Sequence, residues 1–139
     1  RNITVEKADA IVSFAGPLMN FITAIVFALI YCAIYKFANL AFFTSNIGAI
    51  IINIIGSIVT INIGLGVFNM IPLPPLDGSK IFLPILPRNA KVWFVQHEQM
   101  FYFVFLFIWI TPIAGKLIAP IIDEITSWIL KFAMTVFGL

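Results

Sequence analysis

The sequence predicts an all-α fold: a polytopic bundle of transmembrane helices with a proline-broken segment that carries an acid. Three observations predict it. Of 139 residues, 62% are hydrophobic and 10% charged, against about 45–50% and about 25% in soluble domains; mean hydropathy is +1.10. No Asp, Glu, Lys, Arg or His occurs in residues 10–35 or in residues 37–76, and each run exceeds the ~20 residues that cross hydrocarbon as a helix. Pro72, Pro74 and Pro75 then cluster just before Asp77. Prolines fix φ and remove N–H donors, so no α-helix runs through them.

Taken in order, residues 1–9 are polar and carry Arg1, Glu6, Lys7 and Asp9. They read as a membrane-flanking segment. A first helix follows over about 10–36. Pro17 falls in its first third, where neighbours can re-satisfy the freed carbonyl. Gly16 and Asn20, four apart, share a face, and Gly16 lets another helix approach the backbone. Lys36 to Asn46 is a polar break. A second helix is expected over about 47–71, with Asn62 and Asn69 on one face and Gly56, Thr60 and Gly64 as a small-residue stripe that suits helix packing. Asn53 reads as another helix contact.

After Gly78, residues 79–86 are apolar but bounded by Pro84 and Pro87, too short to span. Arg88, Asn89 and Lys91 form a polar loop. A third helix is expected over about 92–110, ended by Thr111-Pro112, and a fourth over about 113–137. Trp93, Trp109 and Trp128 suit the membrane interfaces. The whole of 1–139 reads as a single transmembrane domain.

A net charge of +2, scattered over the chain, excludes a nucleic-acid footprint; the partner that composition implies is the lipid bilayer. Cys32 is the only cysteine, so no intrachain disulfide forms, and a packed thiol is expected. The first hydrophobic segment is too long for the core of a signal peptide. With four crossings, one side receives Arg1, Lys7, Lys80, Arg88, Lys91 and Lys131, and the other Lys36 and Lys116. The basic excess puts the first side, and Asp77 with it, in the cytoplasm, for a multi-pass protein of the cell membrane.

Asp77 is the centre of the functional reading. An Asp in mid-membrane costs about 2.5–3.5 kcal/mol, so an intramembrane acid marks a functional site. Non-helical backbone at that depth is tolerated only inside protein or along a wet cavity. The residues around it, Asn69-Met70-Ile71-Pro72-Leu73-Pro74-Pro75-Leu76-Asp77-Gly78, resemble the second zinc-site motif of the site-2 protease family, the intramembrane zinc metalloproteases of peptidase family M50. Ala15-Gly16-Pro17-Leu18-Met19-Asn20 is similar to the Ala-Gly-Pro-x-x-Asn helix start of the same family. The resemblance implies that Asp77 is a zinc ligand and that Asn69 binds the peptide or its oxyanion. Pro72, Gly78, Gly16, Pro17 and Asn20 then support the motifs.

The family carries its other two zinc ligands and its general base in His-Glu-x-x-His, which this sequence lacks. The chain is therefore expected to be the C-terminal part of a longer protein, with those residues upstream of Arg1. Alone it supplies one ligand where catalytic zinc uses three, and alone it is expected to be inactive. The implied activity of the complete protein is cleavage of peptide bonds in membrane-spanning protein or peptide substrates by a zinc-activated water. The alternative is a non-proteolytic membrane protein, either a transporter piece built on a broken helix or a catalytically dead homologue that binds membrane segments.

Two sequence features mimic a metal site. His97-Glu98-Gln99-Met100-Phe101 begins like His-Glu-x-x-His, but Phe101 cannot ligate, so His97 reads as a polar helix end. Asp123 and Glu124 are adjacent and diverge around a helix. They read as a wet face or as partners of Lys116 or Lys131.

Overall fold

In hydrocarbon every backbone N–H and C=O must be bonded within its own segment, so long uncharged runs become helices. A computed structural model describes residues 3–139, with side chains from Val5 onward. Expectations resting on Arg1 lie outside the described residues. All regular structure among the described residues is helical: α1 Ile3–Phe37, α2 Leu40–Thr44, α3 Asn46–Asn69, α4 Asp77–Phe82, α5 Arg88–Gln96, α6 Glu98–Ile110 and α7 Ile113–Phe137. A single 3-10 turn, Leu83–Ile85, follows α4.

α1 and α3 are each long and apolar enough to cross a membrane; α6 and α7 together make a third candidate span, bent by 79°. The protein is thus an integral membrane protein with several apolar spanning helices. Residues such as Ile11, Val12, Ile50, Phe103 and Ile110 lie more than half exposed, as a lipid-facing surface requires.

The core is a three-helix seam. Ala24, Ala28 and Cys32 of α1, spaced by four, meet Val59, Ile63 and Val67 of α3, also spaced by four, and Ala133 of α7. Small residues on one helix let branched ones on the next approach closely. The small stripe of α3 serves the same purpose on both sides. Gly56 lies against the Tyr31 ring of α1 and Gly64 against Ile122 of α7. Asn62 donates back to the Ile58 carbonyl (2.8 Å) and needs no partner outside its helix.

Several boundaries differ from the sequence reading. α1 begins at Ile3, seven residues before the apolar run, because hydropathy marks the hydrocarbon and not the start of a helix. The polar break after Lys36 folds largely into α2, capped by the Asn39 side chain, which accepts from Phe42 N–H. The segment expected as one helix over 92–110 is two, α5 and α6, parted at His97. The 13 residues of α6 reach only about 20 Å, short of the ~30 Å hydrocarbon core. The break at Thr111-Pro112 is where the sequence put it.

The ends of the bundle are identified by two contacts. Lys36 Nζ donates to the Phe137 carbonyl, so α1 and α7 finish together. At the opposite end Lys91 of α5 pairs with Glu6 of α1 at 2.6 Å. Because α7 finishes beside Lys36, Lys131 belongs to that end. Lys116, in the first turns of α7, falls at the end where Asp77 lies. The two lysines exchange the sides expected of four full crossings.

Candidate functional site

Three prolines leave the segment after α3 few N–H donors, and each remaining one makes a turn. Met70 N–H donates to the Gly66 and Val67 carbonyls, closing α3. Ile71 N–H reaches Phe68 O (3.2 Å), Leu73 N–H reaches Ile71 O (2.8 Å) and Leu76 N–H reaches Leu73 O (2.9 Å). The Pro74–Pro75 peptide is cis. Leu76 is extended and opens α4, and its carbonyl accepts both Ser79 N–H (3.2 Å) and Ser79 Oγ–H (2.8 Å). The loop folds back on itself, and Asp77 emerges in the first turn of α4.

Gly78 is required by that fold-back. It is buried, and a Cβ there would overlap the Ile71 and Met70 carbonyls. Asp77 is half-buried. One carboxylate oxygen, Oδ2, stands 3.8 Å from where a Cβ on Gly16 would be. The two stretches singled out in the sequence therefore meet, with the Asp77 carboxylate at ordinary contact distance from the Gly16 position. Pro17 beside it is fully buried, anchoring this turn of α1 against the bundle. Among the described residues nothing donates a hydrogen bond to Asp77 or pairs with it.

Asn69 ends α3 and is half-buried, as is Asn20 on α1. Neither amide is engaged by a described residue. Pro72 is exposed at the crest of the loop. Asn69, Pro72, Asp77 and Gly78 thus sit on one folded-back segment, and Gly16 touches it from α1.

A hollow of about 290 Å³ adjoins α4, lined by Glu6, Asp9, Val12, Ser13, Lys80, Leu83 and Pro84. Pro17 has no N–H for the carbonyl of Ser13, and Ser13 is the buried polar residue of this wall. A second hollow, about 310 Å³, lies against Pro74, Pro75, Ser79 and Lys80, with Glu98 and Tyr102 opposite.

The mimics stay apart from this centre. The His97 ring stacks on Trp93 with centroids 4.7 Å apart, and its Nδ1 lies 2.8 Å from the Trp93 carbonyl, so it terminates α5. Asp123 and Glu124 are exposed on α7 and pair with neither Lys116 nor Lys131 among the described residues. Sequence reasoning missed the Glu6–Lys91 pair, which joins residues 85 apart in the chain; nothing local signals it. Among the described residues no three His, Cys, Asp or Glu side chains converge.

A carboxylate held without a partner, half-buried beside a glycine, suits a hard oxygen ligand to a cation such as zinc. It fits as one ligand of several.

The description of peptidase family M50 matches residues 2–112. YwhC of Bacillus subtilis (strain 168), named a candidate zinc metalloprotease, is 30% identical over 132 residues, covering 94% of this chain and 58% of its own length. MJ0611 of Methanocaldococcus jannaschii, named likewise, is 32% identical over 99 residues, covering 70% of this chain and 44% of its own. The chain spans about half the length of these curated relatives. No solved structure matches the chain.

Proposed function

The chain belongs to peptidase family M50, and from that premise we propose that it forms the Asp-ligand half of an intramembrane zinc metalloprotease. The observation that carries the proposal is the Asp77 carboxylate facing Gly16, with no partner among the described residues. The names of the relatives support zinc as the metal. Asp77 would hold it through one oxygen, with a His pair and a general-base Glu supplied by sequence upstream of Arg1. The share of the relatives that the chain leaves unmatched has room for such a segment. When bound, the metal supplies a Lewis acid and an activated water.

The chain's own residues then have distinct tasks. As a metal ligand Asp77 would serve as a carboxylate acceptor, and the turn bonds of Leu73, Leu76 and Ser79 hold its backbone in place. Asn69 offers two N–H donors without a charge to desolvate. From the end of α3 it would bind the carbonyl of the bond to be cut, where negative charge develops. Gly16, Pro17 and Asn20 would keep the opposing turn of α1 low and fixed, and Pro72 and Gly78 would set the fold-back. The substrate is a membrane-spanning protein or peptide, and the Asp77 end of the bundle faces the cytoplasm. Lys7, Lys80, Arg88, Lys91 and Lys116 lie at that end, against Lys36 and Lys131 at the other.

The test is reconstitution of the complete protein, upstream sequence included, in lipid vesicles with a membrane-spanning reporter. Zinc at one per chain, and cleavage that Asp77→Ala removes, is the expected result. Undiminished cleavage by Asp77→Ala would refute the assignment. Zinc without cleavage of any membrane-spanning reporter would favour a homologue that only binds membrane segments.

A further inference from the structure

A cavity of about 240 Å³ lies between the proline loop and the α6–α7 bend. Ile71 and Leu73 form one wall, Phe105 and Trp109 of α6 a second, and Ala114 and Leu117 of α7 a third. We propose that this cavity is a specificity subsite that takes one large apolar side chain of the substrate, beside the bond to be cut. The inference rests on the proteolytic reading of Asn69 and Asp77 and deepens it.

Position is the first argument. Ile71 and Leu73 belong to the segment that joins Asn69 to Asp77. A peptide held at those two residues would run along this segment and offer a neighbouring side chain to its wall. Composition is the second. Every side chain facing the cavity is aliphatic or aromatic, whereas the hollow against Pro74 and Pro75 is edged by Lys80, Glu98 and Tyr102. The two hollows therefore sort apolar from polar groups along the same loop. Size is the third, since an apolar cavity of about 150 Å³ already accepts benzene. One leucine-to-phenylalanine side chain is the matching occupant.

The walls are also tied to the site. The Phe68 ring, one residue before Asn69, packs edge-on against Trp109 (4.9 Å) and Phe105 (6.3 Å). The bend of 79° at Thr111-Pro112 turns α7 back so that both helices face the loop. A straight α6–α7 rod would offer one face and no enclosure.

The experiment uses the complete protein in vesicles and membrane-spanning peptides carrying Ala, Leu or Phe at each position flanking the cut, which mass spectrometry of the products locates. At one flanking position the wild type should favour Leu or Phe over Ala by about 10–200-fold in kcat/KM. Leu117 is 61% exposed, so its replacement spares the fold. Leu117→Phe narrows the cavity and should lower the Phe-to-Ala preference at that position at least tenfold. Leu117→Ala should shift it toward Phe. Preferences that stay the same in variants that still cleave would overturn the subsite and leave a cavity filled by lipid chains. A wild type that cleaves none of the peptides would overturn the proteolytic reading and the subsite with it.

Discussion

Two side chains carry the reading, and they differ in what each would lose. Replacing Asp77 removes a ligand. Asp77→Ala in the complete protein should lower zinc content below one per chain and take cleavage to background, checked by elemental analysis beside the reporter assay. Asn69 would act on the peptide, so Asn69→Ala should keep the zinc and lose about 10²–10³ in kcat, as loss of an oxyanion donor does elsewhere. Asn69→Asp should fail equally, since a carboxylate donates nothing. Loss of zinc in Asn69→Ala would make the residue a support for the loop. Both residues were legible in the sequence because an acid ends 40 uncharged positions and an amide precedes it at fixed spacing. The meeting of Gly16 with Asp77 was not legible: the sequence marked Gly16 only as a place where another helix could approach, and no spacing rule relates two segments so far apart in the chain.

Among the elements, the proline loop was the most legible and the α5–α6 break the least. Missing donors at three positions force the chain to turn, and α3 stops at Asn69, within two residues of the expected end. At His97 neither Gly nor Pro marks the break; the ring stacks on Trp93 and its Nδ1 lies by the Trp93 carbonyl, an arrangement that no hydropathy pattern encodes. The loop in turn depends on Gly78. A methyl group there meets two backbone carbonyls that cannot swing aside, so Gly78→Ala should cost about 1–3 kcal/mol as overpacking does. Unfolding in mixed detergent micelles measures it. Stability equal to the wild type would mean the loop can open without loss, and that its fold-back is not what presents Asp77.

For the whole molecule, the charge count and the bundle lead to the same orientation by different lysines. Four full crossings were expected because the third and fourth apolar runs each looked long enough. α6 is too short to cross alone, and past its 79° bend α7 runs to the Lys36 end and carries Lys131 there. In a Cys32→Ala background, Lys80→Cys should react with an impermeant maleimide only from the cytoplasmic face, and Lys36→Cys only from the other. Labelling of both from one face would invalidate the bundle's arrangement. The isolated 139-residue chain should bind zinc weakly and cleave nothing, because no three potential ligands converge among its described residues. Stoichiometric zinc on that fragment by elemental analysis would contradict this.

The length of α1 sets the depth of the chemistry. Hydrolysis consumes one water molecule per bond, and hydrocarbon holds almost none. Gly16, and the Asp77 carboxylate facing it, stand seven residues past Asp9, the last charge before the apolar run, and 20 residues before Lys36. At 1.5 Å per residue these are about 10 Å and about 30 Å of helix. The hollow edged by Asp9, Ser13 and Lys80 lies along the shorter interval. On the proposed reading the protein needs no channel through its core: its reactant arrives from one aqueous compartment over about two turns of helix, while the remaining length of α1 keeps the other compartment sealed off.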